Sequence, residues 1–181
     1  MKIIVDAGHG PNTPGKRSPD GRLREFHFNS AVADELKKRL LLDGHTVIFS
    51  HHPEEDVPLF ERTRLANRLR ADLFLSIHAN AAGNSFNGAA GIETFIHPNA
   101  SNFSRQTADA VQQSLVRSVK LPDRGVKRED FAVLRDTLMP AVLIECGFMT
   151  NREELALLQS DHYRRRCAGA IAYAVNCCIP F

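Results

Sequence analysis

The sequence predicts an α/β fold built on a largely parallel β-sheet, and three observations lead to this fold class. Short apolar runs rich in β-branched residues alternate with amphipathic stretches of helical period, which is typical of repeated strand–helix units. One run, residues 141–144, is apolar throughout and therefore predicts a central strand covered on both faces. A length of 181 residues with 43% hydrophobic residues suits one domain, 1–181, with a sizeable core.

The first half of the chain contains three predicted strands and two predicted helices. In order they are a strand at 3–6, a Gly/Pro-rich loop at 7–24, a helix from Phe28, a strand at 45–50, a helix at 59–70 and a strand at 72–78. The first helix has an apolar residue at every fourth position, at Phe28, Val32, Leu36 and Leu40. It is expected to end before Asp43-Gly44, a pair typical of helix ends.

The second half begins with a Gly-rich loop at 79–91. The predicted elements that follow are a strand at 92–96, a helix at 101–119, a short strand at 131–134, the central strand at 141–145, and helices at 152–159 and 162–178. Val111 and Leu115 form the predicted inward face of the helix at 101–119. Because no linker or internal repeat interrupts these elements, they are expected to form one structure.

Charge and composition argue against several classes of partner. A net charge of +2 and a pI near 8.4 are too mild for a nucleic-acid binder, which usually carries a concentrated basic face. No window approaches the roughly twenty apolar residues of a membrane helix, and the stretch after Met1 is too short for the core of a signal peptide. The cysteines show no C-x-x-C spacing and are expected to be free thiols. Nothing points to an obligate assembly, so a monomer is expected.

Polar residues follow three of the predicted strands, at the end of the sheet where open α/β sheets form their active sites. His9 follows the first strand, His78 ends the third and Glu145 ends the central one. Glu25 precedes the first long helix, and it lies at the same end if that helix crosses back over the sheet. Two neutral imidazoles and one carboxylate, with one position open for water, are a common ligand set for catalytic zinc. His9, Glu25 and His78 could supply that set.

Glu145 is the candidate for the general base of such a site. A bound zinc ion would polarise a scissile carbonyl and lower the pKa of a bound water, and a nearby carboxylate would pass the water's proton to a leaving amine. A lone histidine at a strand end is more often structural than a ligand, but several such residues together favour a metal site. An unpaired carboxylate that ends an apolar strand is costly unless a metal or proton role retains it.

Ordered sequence blocks span nearly the whole chain. They read IVDAGHG at 4–10, RE at 24–25 with Asn29 following, ER at 61–62 with AN at 66–67, ADLFLSIHAN at 71–80, GIET at 91–94, RGVK at 124–127, FAVLR at 131–135 and MPAVLIECGFMTN at 139–151. Through these blocks the chain resembles the zinc-dependent N-acetylmuramoyl-L-alanine amidases, a group that includes autolysins and many phage endolysins.

The resemblance implies a zinc ion bound by His9, Glu25 and His78, with Glu145 as the catalytic glutamate. It also implies a three-layer fold, a twisted and mainly parallel six-stranded sheet with helices on both faces, similar to zinc exopeptidases. The substrate would be peptidoglycan, cleaved between the lactyl carbonyl of N-acetylmuramic acid and the L-alanine of the stem peptide. With no signal peptide visible, the enzyme would act on the wall after lysis, after non-classical release or within a larger exported chain.

Some features depart from the usual pattern of this family. Pro11 stands where a second glycine after His-Gly is usual, and His51 lies where arginine is frequent. The stretch at 81–90 is too short for the inserted helix that blocks the zinc in regulated members, so a permanently open site is expected. No wall-binding module is visible in the sequence.

Alternative readings remain open on the sequence alone. A zinc exopeptidase or carboxypeptidase acting on peptides, or an inactive wall-binding module, would share the fold. A thiol nucleophile at Cys146 and a second metal site at His51-His52 are both disfavoured, because neighbouring residues in an extended segment point to opposite faces. Arg124 and Arg135 could each bind a substrate carboxylate or pair with an acidic side chain.

Overall fold

A computed structural model describes residues 1–178, which form a six-stranded sheet with helices packed against both of its faces. The strands are β1 (Lys2–Ala7), β2 (Thr46–Phe49), β3 (Leu73–Asn80), β4 (Ile92–Ile96), β5 (Asp123–Arg128) and β6 (Ala141–Phe148). The helices are α1 (Glu25–Leu42), α2 (Leu59–Arg68), α3 (Asn102–Val119), α4 (Ala132–Arg135), α5 (Arg152–Leu158) and α6 (Asp161–Cys178). The predicted α/β fold is confirmed, and the last three residues of the predicted domain lie outside the described residues.

The strand order is β2-β1-β3-β6-β4-β5, and the first four of these strands are parallel. β4 is antiparallel to β6, and β5 pairs with β4 in parallel, so these two strands run in the opposite direction. The carboxyl ends of β1, β3 and β6 therefore lie side by side at one end of the sheet. In a sheet of this kind, that end is where ligands bind.

Alternation of side chains along the strands divides the core into two layers. Ile3 and Val5 of β1 face a large layer shared with α1, α3 and α6, whereas Ile4 faces a smaller layer under α2 and α4. The predicted apolar face of α1 lies in the large layer and is fully buried, at Phe28, Val32, Leu36 and Leu40. Each such side chain stabilises the fold by about 1.5–3 kcal/mol through removal from water.

Two elements differ from the sequence prediction. The strand predicted at 131–134 is wrong, because these residues lead into α4, a single helical turn with Val133 and Leu134 buried in the smaller layer. A run this short has no period that separates a strand from a buried helical turn. β5 was not predicted because it is an edge strand of mostly polar, partly exposed residues, which leaves no apolar pattern to read.

The elements nearest the predicted site begin earlier or end later than predicted. α1 begins at Glu25 rather than Phe28, β3 continues to Asn80 and β6 to Phe148. The predicted site residues Glu25, His78 and Glu145 consequently lie within regular elements rather than in loops, which fixes their backbones. Among residues 1–178, no helix combines the length and apolar character needed to cross a membrane.

Candidate active site

The sheet brings the predicted site residues together at the carboxyl ends of its parallel strands. His78 of β3 and Glu145 of β6 are register partners on adjacent strands. His9 lies two residues beyond the end of β1, whose neighbour in the sheet is β3. Glu25 occupies the first turn of α1, which crosses this end of the sheet.

Glu25 lies between the two histidines and contacts both of them. Its Oε2 is 3.2 Å from Nε2 of His9, and its Oε1 is 2.9 Å from Nδ1 of His78. The ligand atoms of the three residues all lie within 4.8 Å of one another, so the group could hold a metal ion. Glu25 is buried, whereas His9 and His78 are partly exposed, which leaves one side of the group open to a ligand.

Within the triad, Glu25 and His78 each favour the charged form of the other. Burial would raise the pKa of Glu25, but hydrogen bonds with His78 and His9 outweigh burial and hold that pKa below its ordinary value. Burial would likewise lower the pKa of His78, but the hydrogen bond and charge of Glu25 raise it above its ordinary value. The arrangement thus stabilises positive charge beside an ionised carboxylate, as a cation site does.

A hydrogen-bond chain behind His78 fixes the tautomer of its imidazole. The Ser76 hydroxyl donates to Oδ2 of Asp6 at 2.6 Å, so its oxygen is left to accept the Nε2–H of His78 at 3.0 Å. With Nε2–H held by Ser76, the neutral imidazole has its lone pair at Nδ1, where a metal could bind, whereas in the metal-free protein a proton on Nδ1 makes the hydrogen bond to Glu25. Support of this kind behind a ligand orients it and raises its basicity in metal sites.

Arg62 of α2 fixes the loop that carries His9. Its side chain is buried, and it donates to Oδ1 of Asp6 at 2.8 Å, to the carbonyl of Ala7 at 2.6 Å, and to the carbonyl of His9. His9 has a φ of 64°, a conformation that costs energy for a residue other than glycine. The contact with Arg62 helps to hold His9 in this strained conformation.

Asp6 couples this network to the stability of the fold. Burial would raise the pKa of Asp6, but the Arg62 guanidinium and hydrogen bonds from Ser50 and Ser76 hold that pKa below its ordinary value. The carboxylate therefore stabilises the folded protein above the pKa of an unfolded aspartate, ~3.9. This contribution is lost as pH falls through the lower pKa of the folded state.

Replacing Asp6 should therefore destabilise the protein in a pH-dependent way. We expect Asp6→Asn to lower the free energy of unfolding by about 3 kcal/mol at neutral pH, because the buried charge of Arg62 loses its partner. The difference from the parent should shrink as pH falls through the folded pKa of Asp6. Denaturant unfolding across pH measures this, with Asp109→Asn, an exposed site on α3, as control. A difference that does not depend on pH would contradict the assignment.

Asp6, Ser76 and Arg62 are supporting residues to which the sequence analysis gave no role. All three stand in the quoted sequence blocks, and Asp6 and Ser76 also lie within three residues of a predicted ligand, which was the available signal. Their contacts depend on the pairing of β1 with β3, where Asp6 and Ser76 are register partners. Arg62 comes from a separate helix, so its distance in sequence concealed its contact with the His9 loop.

Glu145 presents a carboxylate without a partner. Its residue is partly exposed, but its Oε2 is buried and accepts no hydrogen bond from any residue in the described range 1–178. Burial raises the pKa of Glu145 to about 8. Cys146 points to the other face of β6, into the core, where hydrogen bonding with Cys167 and burial raise the pKa of its thiol well above its ordinary value. Cys146 is therefore badly placed to act as a nucleophile.

The other polar candidates have structural partners. Arg124 donates to Oε2 of Glu93 at 2.8 Å, and Arg135 to Oδ1 of Asp136 at 2.9 Å, so each pairs with an acid. His51 accepts a hydrogen bond at Nδ1 from the backbone N–H of Ala7 at 3.0 Å. Within residues 1–178, His9, Glu25 and His78 form the one group of three such side chains close enough to share a metal ion, and His51-His52 belongs to no such group.

Two cavities open onto the site, and residues 81–90 form no helix across them. One, of about 580 Å³, is the polar branch, and its lining includes Arg17, Ser18, Asn80 and Asn84. The other, of about 540 Å³, is the apolar branch, and its lining includes Val57, Leu59, Phe131, Val133 and Leu143. The branches meet at four shared residues, which are His9, Lys16, His78 and Glu145. A substrate can therefore extend in two directions from the triad.

The chain is similar along nearly its whole length to proteins of one family. Residues 3–177 match the family described as N-acetylmuramoyl-L-alanine amidase. The chain is 35% identical to the uncharacterized protein YqiI of Bacillus subtilis, with 96% of this chain and 82% of that protein covered. It is 33% identical to the N-acetylmuramoyl-L-alanine amidase CwlM of Bacillus licheniformis, covering 97% of this chain and 69% of that one.

A solved structure extends the similarity to three dimensions. The crystal structure of an N-acetylmuramoyl-L-alanine amidase from Clostridium difficile superimposes with a TM-score of 0.92 at 35% identity, covering 98% of this chain and 95% of that one. The sequence match and the structural similarity indicate the same family, and the matched range, 3–177, spans the whole candidate site. The chain therefore belongs to the N-acetylmuramoyl-L-alanine amidase family.

Proposed function

We propose that this chain is a zinc-dependent hydrolase that cleaves peptidoglycan between the lactyl carbonyl of N-acetylmuramic acid and the L-alanine of the stem peptide. The observation that carries the proposal is the His9–Glu25–His78 group at the junction of two cavities, beside the unpartnered carboxylate of Glu145. Membership of the amidase family supplies the substrate class and the type of bond.

The residues of the triad fit a zinc ion. Two imidazole nitrogens and a carboxylate are typical donors for catalytic zinc. The Ser76–Asp6 chain supports this fit, since it holds a proton on Nε2 of His78 and so leaves Nδ1 as the atom that the neutral imidazole would offer to zinc in place of the proton it shares with Glu25. A zinc ion bound there would polarise the scissile carbonyl and lower the pKa of a bound water to ~7.

Glu145 is the proposed general base. Its unpartnered Oε2 can accept the proton of the attacking water as the water's oxygen bonds to the carbonyl carbon. The same oxygen can then donate this proton to the amine nitrogen of L-alanine as the amide bond breaks. Burial raises the pKa of this carboxyl in the metal-free protein, and the charge of a bound zinc ion would lower it again, toward the operating pH at which a general base and acid works best.

Clearing of purified sacculi tests this function. We expect the protein to clear a suspension of sacculi, to lose this activity after chelation, and to regain it when zinc is added back. New L-alanine amino termini should appear without new reducing sugar ends.

Each other outcome has a separate meaning. New amino termini from within the stem, in place of L-alanine, would indicate a peptidase, and reducing ends would indicate a glycosidase. Binding to sacculi without clearing would indicate a wall-binding module. Clearing that is insensitive to the chelator would rule out the metal role of His9, Glu25 and His78.

A further inference from the structure

Four residues line both branches of the cavity, and Lys16 is the one among them that has no role in the proposed reaction. The other three, His9, His78 and Glu145, form the triad or the general base. The carbonyl of Lys16 accepts the backbone N–H of Glu25 at 2.9 Å, so its backbone is attached to the start of α1. Its side chain is exposed, and among residues 1–178 its ammonium takes part in no ion pair.

The charge of this ammonium also affects the pKa of Glu145. Burial is the main cause of the raised pKa of Glu145, and the charge of Lys16 acts in the opposite direction. Lys16 lines both branches together with His78 and Glu145, so its ammonium can interact with a substrate bound at the reacting centre.

The two branches differ in the charge they offer to a substrate. The polar branch adds a second cation, Arg17, next to Lys16. The charges of Arg62 and Asp6 in the apolar branch pair with each other. That branch also contains Asp56, whose carboxylate accepts hydrogen bonds from the backbone N–H of Asn12 and the hydroxyl of Thr13. An anionic group held by Lys16 is therefore favoured in the polar branch and repelled from the apolar one.

We propose that Lys16 binds a carboxylate of the stem peptide in the polar branch and so selects for stems that carry one. The inference rests on the proposed function. A second stem residue that is acidic and linked onward through its side-chain carboxyl would leave its α-carboxylate free, and its carboxamide form would lack that charge. An extended chain advances about 3.3–3.6 Å per residue, which places this group within roughly 7 Å of the scissile bond. Lys16 lines both branches beside His78 and Glu145, and its flexible four-carbon side chain lets the ammonium reach toward such a group.

The test compares two soluble muramyl peptides with full-length stems that differ solely in an α-carboxylate or α-carboxamide on the second residue. We expect the parent to cleave the carboxylate form with the higher kcat/KM. Lys16→Met should lower kcat/KM for the carboxylate form by about two- to five-fold, chiefly through KM, because an exposed ion pair contributes modestly to binding. Any effect of Lys16 on Glu145 acts on both peptides alike, so the ratio of the two kcat/KM values, carboxylate form over carboxamide form, is the quantity that should fall.

Two variants and a change of salt complete the design. Lys16→Arg should keep the preference, and Lys38→Met, which removes an exposed charge on α1 far from both cavities, should not alter it. High salt should weaken the parent's preference by screening the ion pair.

The outcomes separate this inference from the proposed function. A parent that cleaves neither peptide would overturn the proposed function. A parent that cleaves both, with Lys16→Met equally impaired on both in kcat, would overturn the carboxylate site and assign Lys16 to the reacting carbonyl instead. No effect of Lys16→Met on either peptide would also overturn the inference.

Discussion

Glu145→Gln is expected to reduce the rate of amide hydrolysis by about 10²–10⁴-fold, the usual contribution of a general base. Glutamine has nearly the shape of glutamate, but it cannot accept the proton of the attacking water at the atom that Oε2 now occupies. The triad of His9, Glu25 and His78 is unchanged by this substitution, so zinc affinity should remain within a few-fold of the parent. Release of L-alanine amino termini and a zinc titration measure the two quantities.

The same variant should lower activity but raise the stability of the folded, metal-free protein. Glu145 has its pKa raised to about 8 in the folded metal-free protein, whereas an unfolded glutamate ionises near ~4.3. Ionisation therefore opposes folding increasingly as pH rises through this range, and the penalty is complete above the folded pKa. Metal-free Glu145→Gln should consequently melt at a higher temperature than the parent at pH 8.

The matched control for this experiment is Glu153→Gln, which removes an exposed carboxylate on α5. It should change neither hydrolysis nor the pH dependence of the melting temperature. Retention of full activity by Glu145→Gln would exclude Glu145 as the base. A melting temperature below that of the parent would show that the carboxylate has a partner in solution.

The predicted site could be read from the sequence because its residues coincide with the ends of strongly apolar strands. His9 follows such a strand, and His78 and Glu145 lie in the last four residues of theirs, where parallel strands place their carboxyl ends together. Glu25 required one further step, the crossing of α1 back over the sheet. The geometry of the group depends on the strand pairing, which supplies distances that no sequence pattern contains.

Elements outside this pattern were harder to predict for physical reasons. β5 pairs only with β4 among the described strands and exposes much of its length, so no burial pattern constrains its residues. The sequence 131–134 is apolar because it packs under α2, and that contact, rather than local preference, makes it helical. The hydrogen bonds of Arg62 to Asp6 and His9 could not be predicted from the sequence, because they join segments more than fifty residues apart.

Gly8 illustrates how closely the site is packed, and its replacement is the second large effect we expect. A Cβ at Gly8 would lie 2.0 Å from Cε1 and 2.5 Å from Nδ1 of the His78 ring, far inside contact distance. The φ of Gly8 lies outside the left-handed region, so the clash is steric and is not caused by the backbone conformation. The imidazole of His78 must move to accept a methyl group at this position, and any such movement disturbs its contact with Glu25.

Gly8→Ala should therefore impair the site more than the fold. We expect a loss of about 10²-fold in hydrolysis, since displacement of a reacting group by about 1 Å costs that much. Zinc affinity should fall by at least about 10-fold, as it does when ligand orientation is disturbed. Overpacking should lower the free energy of unfolding by about 1–3 kcal/mol.

Gly88→Ala is the control for this substitution, because a Cβ at Gly88 meets no atom within 4 Å. It should leave zinc affinity, hydrolysis and melting temperature at parental values. The decisive comparison is zinc affinity in protein that circular dichroism shows to be folded. If folded Gly8→Ala binds zinc as tightly as Gly88→Ala does, then His78 can move without loss of the metal, and its Nδ1 is not the ligand atom. A loss confined to Gly8→Ala would instead support the ligand role of His78, since the added methyl group contacts that ring first.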